Sequence, residues 1–180
     1  MGQNWTMERE HLASSNTTSP FAMTLVDPTS SAGRAVLRRF FMDIVGRYWG
    51  REATDVEVEQ AMLDEPSDDL RGDTGFLVIV RDGERVVGCG GAKAVEPGVA
   101  ELTRVFLDAS TRGRGVGKAL VGEIEALSAE RGIHTLRLTV RDDLAEAHGL
   151  YRHLGYEPVP PFSTSPYADH QLAKVLRNAR

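Results

Sequence analysis

The chain has 180 residues, 41% of them hydrophobic and 26% charged, which is the composition of an ordinary globular domain long enough to bury a core. Its formal net charge is −5, with the Lys and Arg residues scattered apart from Arg112-Gly113-Arg114, so broad nucleic-acid binding through phosphate neutralisation is excluded as a leading reading. One cysteine, Cys89, rules out an intramolecular disulfide, and no apolar run approaches the roughly 20 residues of a membrane span.

Residues 1–20 are polar, rich in Ser, Thr and Asn, and aperiodic, which predicts a loosely attached tail ahead of a single domain over 21–180. The tail lacks the basic-then-apolar pattern of a secretory signal. Met1–Thr6 formally fits a myristoylation pattern, and Asn4 and Asn16 formally open glycosylation sequons. All three are short enough to arise by chance. A cytoplasmic protein that engages neither membrane nor nucleic acid is the expectation, with a homodimer left open.

The domain begins with a short strand, Phe21–Val26, stopped by Asp27-Pro28. Ser31–Tyr48 is a helix whose apolar face runs Leu37, Phe40, Phe41, Ile44, Val45, Tyr48. Thr54 caps a second helix reaching Leu63, with Glu57 as capping-box partner. After a polar loop over Pro66–Asp73 come three strands, Gly75–Arg81, Arg85–Val95 and Val99–Leu107. The turns Asp82-Gly83 and Pro97-Gly98 make them an antiparallel meander. Gly115–Arg131 is a helix ended by Gly132, Ile133–Arg141 a strand, Leu144–Leu154 a helix ended by Gly155, and Asp169–Leu176 the last strand. This order predicts an α/β (α+β) fold around one central, mixed but mostly antiparallel sheet flanked by helices.

The most informative segment is Leu107–Leu120, where a strand runs through Arg112-Gly113-Arg114-Gly115-Val116-Gly117-Lys118 into an amphipathic helix. Unpaired amides at a helix start, together with its partial positive charge, make an anion site, and glycines let a phosphate approach the backbone. A P-loop needs a glycine where Arg112 stands and Ser or Thr where Ala119 stands. The dinucleotide fingerprint needs a third glycine where Lys118 stands.

The turn resembles that of the GNAT superfamily of N-acetyltransferases, Arg/Gln-x-x-Gly-x-Gly/Ala, at every defined position of Arg112–Gly117. A second segment, Ala147-His148-Gly149-Leu150-Tyr151-Arg152-His153-Leu154-Gly155-Tyr156, resembles the family's Ala-x-x-Leu-Tyr-x-x-x-Gly-Phe/Tyr stretch at the usual separation. The element order matches over about Phe21 to Leu176, and Cys-Gly-Gly before a Pro-Gly turn followed by Ala-Glu resembles small bacterial members.

The resemblance implies acetyl-CoA as co-substrate. Its pyrophosphate would lie on Arg112, Gly113, Arg114, Gly115, Val116, Gly117 and Lys118, and its pantetheine arm against Val105, Phe106, Leu107, Ala147 and Tyr151. Many members carry Asn where this chain has Leu144, so the arm is expected to pair with backbone instead. Tyr151 stands at the position whose hydroxyl lies near the thioester sulfur, which makes it the candidate acid. Glu101 matches the strand glutamate that serves several members as base. Burial there would raise its proton affinity, whereas a neighbouring-strand cation or Arg104 would make its role structural. The oxyanion is met most simply by the amide of Val105 or Phe106. Cys89 reads as packing, and His134, His148 and His153 lack metal-ligand spacing, so no metal is expected.

The acceptor implied is a primary amine, first that of a small molecule. A protein lysine or N-terminus is an alternative, and a domain that holds acyl-CoA without turnover is another.

Overall fold

The computed structural model describes residues 20–176; the predicted tail, apart from Pro20, and residues 177–180 lie outside the described residues. The elements follow the order β1 (Phe21–Val26), α1 (Ser31–Trp49), α2 (Asp55–Asp64), β2 (Gly75–Asp82), β3 (Arg85–Glu96), β4 (Val99–Leu107), α3 (Val116–Glu130), β5 (Thr135–Val140), α4 (Ala145–His153), β6 (Glu157–Pro158) and β7 (His170–Val175). They form one seven-stranded sheet in the order β1-β2-β3-β4-β5-β7-β6. Every neighbouring pair is antiparallel except β4–β5, which is parallel because α3 carries the chain back across the sheet.

β2 shows how the sheet separates two cores. Its residues Phe76, Val78 and Val80 pack with Leu120, Val121 and Ile124 of α3. The alternate residues Leu77 and Ile79 pack with Val36 and Leu37 of α1 on the other face. Both faces are therefore covered, and the strand reads as a continuous apolar run rather than an alternation. Leu120, Val121 and Ile124 are fully buried, each worth about 1.5–3 kcal/mol of transfer free energy.

Local signals set the helix limits. The Ser30 hydroxyl accepts from the Gly33 amide at 3.1 Å, and Gly50 closes α1 in the left-handed region. Thr54 and Glu57 make the reciprocal capping box at the start of α2. Gly132, at φ 79°, follows the end of α3. Two short elements add to those expected, a 3-10 turn at Ala109–Thr111 and the two-residue edge strand β6.

Candidate active site

The sheet opens where the parallel pair ends. β4 and β5 are registered only over Val99–Glu101 against Thr135–Arg137. Beyond these residues β5 stays fully paired with β7 through Val140, while β4 runs on to Leu107 with β3 as its strand partner. The edge of β4 facing β5 over Leu102–Leu107 is thereby left without a strand, a splay in the middle of the sheet.

β4 also carries a bulge. Cys89 faces Phe106 and Gly91 faces Thr103, so Arg104 and Val105 together oppose Gly90. Arg104 absorbs the extra residue at φ 56°, the only non-glycine residue with positive φ among those described. Such a conformation costs on the order of 1–3 kcal/mol and persists only where the surroundings hold it.

At the end of β4 the chain enters the glycine-rich turn. Gly113 and Gly115 sit at φ 71° and 73°, with open space where a Cβ would project. The helix that follows has no side-chain cap. The amides of Gly113, Gly115, Val116, Gly117 and Lys118 find no acceptor among the described residues, in contrast to those of Thr111, Arg112, Arg114 and Ala119. Clustered donors at the positive end of a 15-residue helix form an anion-binding surface. Lys118 and Arg112 are exposed beside it. The Arg114 side chain points elsewhere: it pairs with Asp82 at 3.0 Å and lies over the Phe21 ring. Its amide is engaged as well, donating to the Thr111 carbonyl at 3.3 Å, so the donors of the turn are those of its neighbours.

α4 lines the other side of the splay. Leu150 approaches Gly117, where an added Cβ would stand 3.1 Å from its Cδ2, so the absence of a side chain lets the two helices close up. Ala147, Leu150, Tyr151, Val105, Leu107 and Val116 all belong to one apolar cluster, which brings four of the five expected arm-binding residues together, whereas Phe106 packs with the cluster on the other face. Leu144 occupies the N-cap position of α4 with no side-chain cap. Tyr151 is only 6% exposed, and burial pushes the pKa of its phenol up. Its hydroxyl has no hydrogen-bond partner among the described residues, yet it is not sealed: the only fully enclosed, unpaired polar side-chain atom described is Ser128 Oγ.

Glu101 and Phe106 face the opposite side of the sheet, toward α1 and α2. Glu101 is not buried as the sequence suggested. Its side chain is 36% exposed, and Oε1 accepts from Arg137 Nε and Nη2 at 3.2 and 3.0 Å. Arg137 also bonds Glu96 at 2.9 Å and stacks over Phe162. The partner is therefore a cation on the neighbouring strand, while Arg104 is engaged with the loop after α2. Beside Glu101 lies a cavity of about 330 Å³, lined by residues that include Glu65, Ser67, Asp69, Lys93, Thr103 and Arg104. Cys89, fully buried on this face, donates to the Arg104 carbonyl at 3.2 Å, and burial pushes its thiol up to about 12. A protonated, enclosed thiol is packing, not a nucleophile.

Sequence reasoning allowed a neighbouring-strand cation for Glu101 without singling out Arg137, and it passed over the tether on Arg104. An arginine inside the apolar run Leu102–Leu107 was the available signal for the second; nothing local marks the first.

A larger open groove of about 1270 Å³ lies between α3 and the β6–β7 edge, away from the splay. No group of three or more His, Cys, Asp or Glu among the described residues could hold a metal ion, and no described helix is long and apolar enough to cross a membrane.

Comparison with known proteins agrees with this geometry. Residues 38–156 match the model of the acetyltransferase (GNAT) family, a span that takes in both halves of the splay. An IAA acetyltransferase from Azospirillum brasilense is 35% identical over 105 residues, 58% of this chain and 67% of that protein. Among solved structures, a GNAT-family acetyltransferase from Staphylococcus aureus superposes with a TM-score of 0.69 at 17% identity, covering 87% of this chain and 100% of that one. The PaiA N-acetyltransferase from Thermoplasma acidophilum, solved in complex with coenzyme A, gives a TM-score of 0.64 at 17% identity over 86% of this chain and 99% of that one. The family match and the Azospirillum relative together establish that the chain belongs to the GNAT family of acetyltransferases.

Proposed function

We propose that the protein transfers the acetyl group of acetyl-CoA to the nitrogen of a primary amine on a small molecule, by direct attack of the amine within the β4–β5 splay. The observation that carries this reading is the set of unpaired amides at the turn, placed at one end of a strand edge that has no partner. The turn fits a pyrophosphate: it offers N–H donors, two glycines that allow close approach, and Lys118 and Arg112 as nearby cations. The unpaired edge of β4 offers main-chain groups to an amide-bearing arm, which replaces the side-chain contact that Leu144 cannot make.

Tyr151 supplies the proton to the leaving thiolate. A phenol whose pKa is raised by burial stays protonated between turnovers, its unpaired hydroxyl is free to donate to the sulfur, and the proton taken from the amine restores it through water. The amide of Val105, next to the bulge and on the open edge of β4, stabilises the oxyanion; that of Phe106 lies on the β3 side, as does the Asp108 amide that bonds the Val87 carbonyl at 2.8 Å. Glu101 acts from the opposite face. Because Arg137 already occupies its carboxylate, it receives the amine proton through water rather than by direct contact. The donor thus approaches from the α3–α4 side and the acceptor from the α1–α2 side, and they meet in the splay. A cavity of about 330 Å³ is at the small end of ligand sites, which favours a small amine over a protein segment.

The experiment is Glu101→Gln. The expected result is a fall in kcat/KM of about tenfold or more near neutral pH, the modest end of general-base effects, with unchanged affinity for acetyl-CoA. If the carboxylate only anchors an ammonium, KM rises and kcat stays. Wild-type kcat/KM across pH 6–9 would remove Glu101 from the reaction.

A further inference from the structure

Arg104 is the most heavily tethered cation beside the candidate site. Nε donates to Ser67 Oγ at 3.0 Å and Nη2 to the Glu65 carbonyl oxygen at 3.0 Å. Nη1 donates to Thr103 Oγ1 at 3.2 Å and to Glu65 Oε2 at 3.4 Å. The guanidinium lies over Phe40 and Phe41 of α1, 5.6 and 5.0 Å from their ring centres, and the side chain is only 13% exposed. The Arg104 carbonyl is held separately, by Cys89 Sγ of β3. The left-handed residue in β4 is therefore pinned from two directions: its side chain by the loop after α2 and by α1, its main chain by β3.

These anchors join two parts of the site that no other described hydrogen bond connects. Glu65 and Ser67 line the cavity beside Glu101. Val105 directly follows Arg104, and its amide is the oxyanion donor of the reading above. The direction of that amide depends on the torsions of the bulge.

We propose that Arg104 is a positioning residue for acetyl transfer, tying the β4 bulge to Ser67 and Glu65 so that the Val105 amide stays aimed at the thioester carbonyl and moves with the loop that lines the acceptor cavity. Only a forked guanidinium can bond Ser67 Oγ, the Glu65 carbonyl and Thr103 at once while lying flat on two rings; an ammonium is a point donor. The role rests on the reading of the splay as an acetyl-transfer centre.

Three variants separate the tether from the fold. R104K keeps the charge and loses the fork. R104G accepts φ 56° without strain and loses the tether entirely. S67A removes a single hydrogen bond from the loop side and leaves β4 untouched. The expected result is a kcat about 10–100-fold lower in R104K and R104G, below the full loss seen when an oxyanion donor is deleted outright. S67A should show a smaller fall in the same direction. Calorimetric affinity for coenzyme A should fall far less than kcat in all three, since the turn amides are unchanged and only one end of the β4 edge is altered. Millimolar methylguanidinium should restore part of the R104G rate and leave R104K unaffected.

A merely structural arginine would lower Tm and leave kcat per folded molecule unchanged, and that result overturns the proposal. So does loss of coenzyme A binding in the folded variants, which would place Arg104 in cofactor binding. If R104G and R104K do not fold, wild-type kcat in S67A overturns it and a lowered kcat with normal coenzyme A affinity sustains it. Failure of the wild-type protein to acetylate any amine would instead overturn the underlying reading, and is seen before any variant is made.

Discussion

Gly115→Val should weaken acetyl-CoA binding at least tenfold, about 1.4 kcal/mol, while leaving a folded protein. Gly115 sits at φ 73° with nothing within 4 Å of the position a Cβ would take, so the substitution overcrowds nothing. Its effect is conformational. A β-branched residue is strongly disfavoured in the left-handed region, and the turn relaxes by rotating its peptides. That rotation redirects the amides of Gly115 and Val116, two of the donors that have no acceptor among the described residues. Gly83 provides the control, because it too has a positive φ, 61°, and open space, in the β2–β3 hairpin. Gly83→Val should carry a comparable conformational strain and bind coenzyme A with unchanged affinity. Calorimetric titration of both variants, beside their melting curves, checks the result. Equal affinity in Gly115→Val and wild type would mean that the turn does not hold the pyrophosphate.

Tyr151→Phe removes one oxygen from a buried ring and should lower kcat by roughly 10–1000-fold with little change in acetyl-CoA affinity. The ring's packing against Tyr156, centroids 5.7 Å apart and edge to face, is retained by phenylalanine. No hydrogen bond within the protein is lost either, since the hydroxyl makes none among the described residues. The loss is thus confined to the step that uses the proton. The pH dependence follows with a definite sign. Burial raises the phenol's pKa above its ordinary value of about 10, so the acid form dominates at all lower pH. Wild-type kcat should show no falling limb from this group below about pH 10. A variant with wild-type turnover, under conditions where chemistry limits the rate, would leave Tyr151 as packing.

The sequence made the local features legible and the cross-chain pairings illegible. The limits of β1 and β4 could be read directly, because alternation and the Pro-Gly turn mark them within a few residues. The capping box at Thr54 and Glu57 and the glycine turn at Gly113–Gly117 are equally local, since the physics that fixes each acts over one helical turn. Arg137 was invisible for the opposite reason. Its bond to Glu101 spans 36 residues and exists only because β4 and β5 pair in parallel over Val99–Glu101. The same holds for Arg114, which looked like a phosphate ligand by proximity but is drawn 32 residues back to Asp82. The positive φ of Arg104 depends on the register of β3 against β4, which nothing in the immediate sequence encodes. β6 is two residues long and contains Pro158, so periodicity had no window in which to detect it. The turns and caps were legible; how the charges are paired was not.

The central claim, that this chain moves an acetyl group from acetyl-CoA to an amine through its β4–β5 splay, is tested most directly by incubating the protein with acetyl-CoA and a panel of small primary amines. Free coenzyme A thiol and the masses of the amines are followed together. The account predicts enzyme-dependent thiol release matched one to one by an N-acetylated amine, absent without acceptor and much reduced in Tyr151→Phe. Tight coenzyme A binding with no acetylated product from any amine would contradict it, and would mark the protein as one that holds the thioester without transferring it.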